Sequence, residues 1–312
     1  MSDAPKIELI ETVKFKGHVR DGFNLSAVGV VGKFLVVAGD EDDRLQVLRR
    51  DGDHYELVPD REIRLNDTGA EADIEGIACE GNTVFAIGSH AAKRPKLKPT
   101  ATRTENRAKL EVIEPAPASR SILVRFQLSA DGTASDLKRT TLRPLIDSNP
   151  LLRPFATVPC KENGVDIEGL AVRAGQLFVG FRGPVLQHGL VPVLTCPFPE
   201  AATQAEIVYL ALDGRGIRDL EAVRDGFLVL AGPVNDAATG FGLFLWDGRD
   251  CTPGGPGEPG RVQFLGPLPT PDGAKAEGLA VETESDHEYR VLVLFDGLKE
   301  GGATRFRVRK PN

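Results

Sequence analysis

A chain of 312 residues, 41% of them hydrophobic, is long enough to bury a large core, and its net charge of -7 argues against a nucleic-acid groove or an anionic membrane surface as partner. No apolar run approaches the roughly eighteen residues of a membrane-spanning helix, and Met1-Ser2-Asp3-Ala4-Pro5-Lys6 lacks the apolar centre of a secretion signal, so a cytoplasmic protein is expected. Cys79, Cys160, Cys196 and Cys251 lie far apart with no Cys-x-x-Cys pair, which points to free thiols rather than a zinc site.

Residues 7 to 15 alternate apolar Ile7, Leu9, Val13 and Phe15 with polar Glu8, Thr12 and Lys14, the pattern of a half-buried strand. A repeat begins after it. Its first and most degenerate copy is Asn24-Leu25-Ser26-Ala27-Val28, followed by Asp73-Ile74-Glu75-Gly76-Ile77-Ala78 and by the clearest copy, Asp166-Ile167-Glu168-Gly169-Leu170-Ala171-Val172. Asp219-Leu220-Glu221-Ala222-Val223 is weaker, and Ala276-Glu277-Gly278-Leu279-Ala280-Val281 keeps the glutamate alone. Each copy precedes a polar turn and an apolar run, at 34 to 38, 84 to 87, 177 to 181, 227 to 231 and 291 to 295. Paired buried strands recurring at this spacing predict an all-β fold, a single β-propeller domain over residues 1 to 312 with five four-stranded blades.

Further strands are expected at 45 to 49 and 55 to 65 in blade one, with Arg50-Asp51-Gly52-Asp53 as the turn between them. Asp51, Asp53 and Glu62 loosely match a calcium loop, but Glu56 occupies the glycine position, so this too reads as a turn. Blade two should end with 121 to 128 and 137 to 142, blade three with 190 to 194 and 207 to 212, and blade four with 243 to 246 and 262 to 265. Blade five should use 304 to 308 and then the N-terminal strand, which closes the ring and covers an open edge. Residues 91 to 120, rich in Lys, Arg, Pro, Ala and Thr without aromatics, read as an exposed mobile loop; six blades are the alternative if they hide strands. Gly255-Pro256-Gly257-Glu258-Pro259-Gly260 carries the letters of a dinucleotide fingerprint, yet its prolines forbid the helix such a site requires, which leaves a loop.

First strands of a propeller line its channel, so the repeated Asp and Glu should crowd one mouth. Second strands end there and deliver Asp40, Glu41, His90, Arg182 and Asp296, while Lys161, Arg218 and Lys275 arrive just ahead of first strands. Carboxylates gathered in a partly desolvated funnel repel one another, and a metal, a basic ligand or a built-in Arg would relieve them. Hard oxygen donors favour calcium or magnesium over zinc, with Glu75, Glu168, Glu221, Glu277 and Asp296 as ligands. Asp40, Glu41, Asp73, Asp166, Lys161, Arg218 and Asp219 would contact a small polar or phosphorylated ligand. A metal-assisted hydrolase of phosphate or carboxylate esters is the catalytic alternative, with Glu168 or Glu75 as general base, His90 as proton donor and Arg182 as anion clamp. A repeated glutamate that merely accepts backbone hydrogen bonds from the next blade would instead staple the ring. A protein-interaction scaffold using the rim loops also suits the fold.

Gly39-Asp40-Glu41, Asp73-Ile74-Glu75-Gly76, Gly88-Ser89-His90, the run from Lys161 to Ala171, Arg182-Gly183-Pro184-Val185 and Gly216-Ile217-Arg218-Asp219-Leu220 together resemble a bacterial family known as domain of unknown function 3616, over nearly the whole chain. The resemblance implies a propeller and brings no established activity. More distantly, the Asp166-Ile167-Glu168-Gly169-Leu170-Ala171 element is similar to the esterase-like phytase domain, which implies phosphate-ester chemistry. Blade five lacks the Asp and Ser26 stands in place of a Glu, so a symmetric metal ring would be incomplete.

Overall fold

The computed structural model describes residues 6–198, 205–235, 240–254 and 257–311. Leu25–Val31, Phe34–Gly39, Arg44–Asp51 and His54–Leu57 form blade one, and Ile74–Glu80, Thr83–Gly88, Leu123–Leu128 and Ala134–Thr140 form blade two. Asp166–Arg173, Gln176–Gly183, Leu190–Pro197 and Glu206–Ala211 form blade three, and Gly216–Val223, Gly226–Gly232, Gly242–Trp246 and Val262–Pro267 form blade four. Blade five takes Lys275–Glu284, Glu288–Asp296, Thr304–Arg309 and the N-terminal strand Ile7–Thr12. First strands of successive blades touch all the way round, blade five against blade one, so the ring is closed.

The apolar runs have no polar face because every blade is covered on both sides. All of Phe34–Gly39 and all of Gly226–Gly232 are buried. The apolar side chains form five clusters, each lying between two neighbouring blades, as where Val36 and Val47 of blade one meet Ile77, Val84 and Phe126 of blade two. Full burial stabilises by about 1.5–3 kcal/mol per large apolar side chain, so the interblade layers, not the hairpins, hold the ring. The glycine of the repeated Glu-Gly pair follows from the same crowding. A Cβ on Gly76 would lie 2.9 Å from Leu170 Cβ, and one on Gly169 would lie 2.7 Å from Ile217 Cγ2 of the next first strand.

The N-terminal segment closes blade five, with Ile7 opposite Val308 and Leu9 opposite Phe306. It does more than the single strand expected from residues 7 to 15. The register slips between Leu9 and Glu11, Val13 donates its N–H to the Ala303 carbonyl at 2.7 Å, and Phe15–Lys16 then pairs in parallel with Tyr55 and Glu56 of blade one. Buried Val13 and Phe15 enter the layer between blades five and one, so one segment covers the outer edges of both.

Other departures have local causes. The strand expected at 55 to 65 breaks into His54–Leu57 and Ile63–Arg64, both paired with Arg44–Asp51. Pro59 has no N–H to give, and Asp60 takes a positive φ of 58°. Residues 91 to 120 add no blade strand, but the loop expected there contains helix Arg103–Leu110, opened by a capping box between Thr102 and Glu105. Its Ala, Lys, Arg and Glu residues are good helix formers as well as loop residues. Helix Arg143–Ser148, unforeseen in sequence, plugs Leu145 and Ile146 into the layer between blades two and three. Gly255 and Pro256 of the fingerprint-like run lie outside the described residues. Among the described residues no helix is long and apolar enough to cross a membrane.

Candidate functional site

Every first strand carries a register slip at the same height. The slips fall between Leu25 and Ala27, Ile74 and Gly76, Ile167 and Gly169, Ile217 and Asp219, and Ala276 and Leu279. A bulge re-aims the extra residue, and the residues at these slips are Ser26, Glu75, Glu168, Arg218 and Glu277. The equivalence corrects the reading of blade four. Asp219-Leu220-Glu221 matches the letters of Asp166-Ile167-Glu168, but Ile217-Arg218 holds the place of Ile167-Glu168, so the ring has a built-in cation where a fourth glutamate was expected.

Arg218 is 2% exposed and its two terminal nitrogens reach both neighbours, Glu168 of blade three at 2.9 Å and Glu277 of blade five. Arg182 contacts Asp166 and lies 2.7 Å from Glu168. Asp73 accepts from Lys93 at 2.9 Å and from the Ser89 hydroxyl, and Asp296 pairs with Lys275 at 2.7 Å. Glu75 has none of this. Among the described residues it makes no hydrogen bond or ion pair, and burial followed by the charges of Glu168, Asp73, Glu277 and Asp166 holds its carboxyl well above the usual range. Asp40 is pushed up to about 7 by burial and then by Glu277, Asp73 and Asp296. Burial also raises Asp166, Glu168 and Glu277, against the opposing pull of Arg182 and Arg218.

Several residues singled out in sequence are stitched into the scaffold. Asp219 accepts the N–H groups of Leu220 at 2.7 Å and Leu279 at 2.6 Å, and Glu221 accepts that of Val281 at 3.4 Å. These two are the staples, joining blade four to blade five, as the Ser26 hydroxyl joins blade one to the Ile74 carbonyl. His90 is fully buried and not brought to the mouth as a proton donor. Its Nδ1 bonds the Gly88 carbonyl at 2.8 Å and its Nε2 accepts from Leu142 N–H at 3.2 Å, while burial lowers it to about 4. At neutral pH the ring is uncharged and its one proton is committed. Glu41 is exposed at the rim, its N–H on Asp21 at 3.2 Å.

A cavity of about 780 Å³ opens beside the ring against blades three, four and five. Lys161, Arg182, Arg218 and Lys275 line it, with Val234, Phe241, Leu268 and prolines as walls, and Asp272 is the single acid among its described lining residues. The mouth is therefore divided, with cations facing the cavity and the unpaired Asp40 and Glu75 on the side of blades one and two. The sequence reading missed Arg218 as a ring member; the signal was Ile217 and Leu220 at the spacing of Ile167 and Leu170. Among the described residues, no three acidic, His or Cys side chains stand together as metal ligands. Glu168, Glu277 and Asp166 are taken by guanidiniums and Asp296 by Lys275, which leaves Asp40 and Glu75 as the mouth carboxyls that, among the described residues, are in no ion pair.

Among solved structures, glutaminyl cyclase from Myxococcus xanthus is similar with a TM-score of 0.51 and 11% identity, covering 98% of this chain and 97% of that one. An exo-beta-1,3-galactanase from Phanerochaete chrysosporium follows at a TM-score of 0.46 and 6% identity, covering 97% of this chain and 63% of that one. At such identities the first likeness speaks for the fold alone. A search of curated proteins finds no match. The family described as "Protein of unknown function (DUF3616)" matches residues 24–307, and the chain belongs to that family.

Proposed function

We propose that the protein binds a small anionic ligand, a carboxylate or phosphate carried on a partly apolar body, in the cavity at the channel mouth. The observation that carries this reading is the convergence of Lys161, Arg182, Arg218 and Lys275 on one cavity. Its volume is that of a small-molecule site, roughly 300–1,000 Å³. Arg182 and Arg218 are fixed by Asp166, Glu168 and Glu277 before any ligand arrives, so the ligand does not bear the cost of ordering them. Phe241, Val234 and Leu268 offer the apolar contact.

A second reading, a calcium or magnesium ion on the side of the mouth formed by blades one and two, is favoured by Glu75 and Asp40, which among the described residues are in no ion pair. An ester hydrolase built on this mouth would take its proton from Glu75, since His90 has none to give. The free cysteines suit a cytoplasmic setting.

The test is thermal stabilisation of the wild type and of the Lys161→Ala/Lys275→Ala double variant by inorganic phosphate, aryl phosphates and dicarboxylates. A ligand at a hundred times its Kd stabilises by about 2.7 kcal/mol. The expected result is a raised melting temperature in the wild type that the double variant loses. Indifference of the wild type to the whole panel would overturn the proposal.

A further inference from the structure

We propose that residues 91 to 120 form a docking lobe for a second copy of this chain, its basic, apolar surface seating on the acidic patch around Phe23 of that copy. This segment carries eight basic side chains against three acidic ones, inside a chain of net charge -7, so the remainder of the molecule is at -12. Of the exposed large apolar residues, Leu97, Leu110, Val112 and Ile113 fall in this one segment, at 46–52% exposure. No residue of helix Arg103–Leu110 is buried. An isolated helix of this length is marginal in water, and one with no packed face calls for a surface to pack on.

The lobe is ordered, not loose. Arg94 bonds the Leu110 carbonyl and, at 3.2 Å, that of Val112; Lys109 Nζ reaches the Lys96 carbonyl at 3.0 Å and Asn106 that of Lys98 at 2.9 Å. At its base it is tied to the ring by backbone bonds, Cys160 N–H to the Ala92 carbonyl at 2.9 Å and His90 N–H to that of Arg120 at 3.2 Å, and by the ion pairs of Lys93 with Asp73, Arg94 with Glu162 and Arg120 with Glu71. Its aliphatic side chains are left outward with lysines and arginines around them.

The complementary surface is in the same molecule. Phe23 is 58% exposed, and Asp21, beside it, feels the charges of Glu41 and Asp42, while Glu300 packs against Gly22; with Arg20 paired to Asp42 and Lys299 to Glu300, these four acids against two cations leave the patch net acidic. Phe23 accepts from Gly297 N–H just past the blade-five second strand, and the lobe departs just past Gly88 of the blade-two second strand, so both lie on the mouth face. Two copies related by a two-fold axis can then make the lobe-to-patch contact twice. Among the described residues the other exposed large apolar side chains, Leu9 and Phe264, sit in the outer strands of blades five and four.

Sedimentation equilibrium of the full chain over a range of concentrations, at low and high salt, tests this. The expected result is a dimer that salt weakens and that Phe23→Ser or Leu110→Ser/Ile113→Ser weakens at least about tenfold. Circular dichroism would verify that the variants fold; Lys96→Glu, at an exposed side chain outside the hydrogen bonds that order the lobe, gives the same expected weakening should the apolar variants not fold. A monomer at every concentration overturns the proposal. So does a dimer indifferent to all these variants, or a lobe-dependent binding of phosphatidylserine vesicles by a monomeric protein.

Discussion

Arg218 stands at the bulge position that Glu168 occupies one blade earlier, and the two side chains meet at 2.9 Å. One substitution of cation for anion in a repeated ring thus supplies a counter-charge to two neighbours, Glu168 and Glu277, and leaves Glu75, among the described residues, outside any ion pair. The asymmetry creates a basic cavity on one side of the mouth and strained acids on the other.

Removing that cation should be severe. Breaking a buried ion pair from one side costs about 3–5 kcal/mol, since the abandoned charges stay buried. Arg218→Met is expected to fall in this range by urea denaturation, whereas Glu221→Gln, which keeps an acceptor for Val281 N–H, should cost about 1 kcal/mol or less. Equal effects would mean that the two residues do the same job.

Glu75→Gln and Glu168→Gln should change stability in opposite directions. Glu75 is repelled by Glu168, Asp73 and Glu277 and, among the described residues, is in no ion pair, with only the longer-range attraction of Arg182 opposing, so its neutral amide should raise the melting temperature. Glu168 anchors Arg182 and Arg218, and its amide should lower it. Two stabilised variants, or two destabilised ones, would contradict the assignment.

Asp40 gives a pH dependence of definite sign. Its carboxyl is raised from 3.8 to about 7, so between those pH values the folded protein holds a proton that the unfolded chain releases. Stability from this group is present at the acid end and is lost as pH rises through about 7. Asp40→Asn should flatten that part of the urea-midpoint profile and be more stable than wild type at pH 8. An unchanged slope would show that Asp40 does not titrate in this window.

The fold was legible because burial on both faces of each blade writes itself as fully apolar runs between polar turns. The ring was only partly legible. In blade four, Asp219-Leu220-Glu221 imitates the repeat three residues late, and only the bulge shows Arg218 in place. Thr102 and Glu105 spelled out a capping box inside a segment whose composition otherwise suggested loop. His90 looked available because a strand end normally meets solvent; the helix that covers it comes from residues 143 to 148, which carry no strong periodic signal.

Deleting residues 1 to 16 should expose two edges at once, those of Thr304–Arg309 and of His54–Leu57. Aggregation or a large loss of stability is expected. A truncated protein as monodisperse and stable as wild type would show that the double edge cover is dispensable.

The most direct test of the mouth as an anion site is a crystal structure determined with an aryl phosphate such as phenyl phosphate. The expected density places the phosphate among Arg182, Arg218, Lys161 and Lys275, with the ring toward Phe241. A cavity holding only water at saturating phenyl phosphate, with the compound elsewhere or absent, would contradict it.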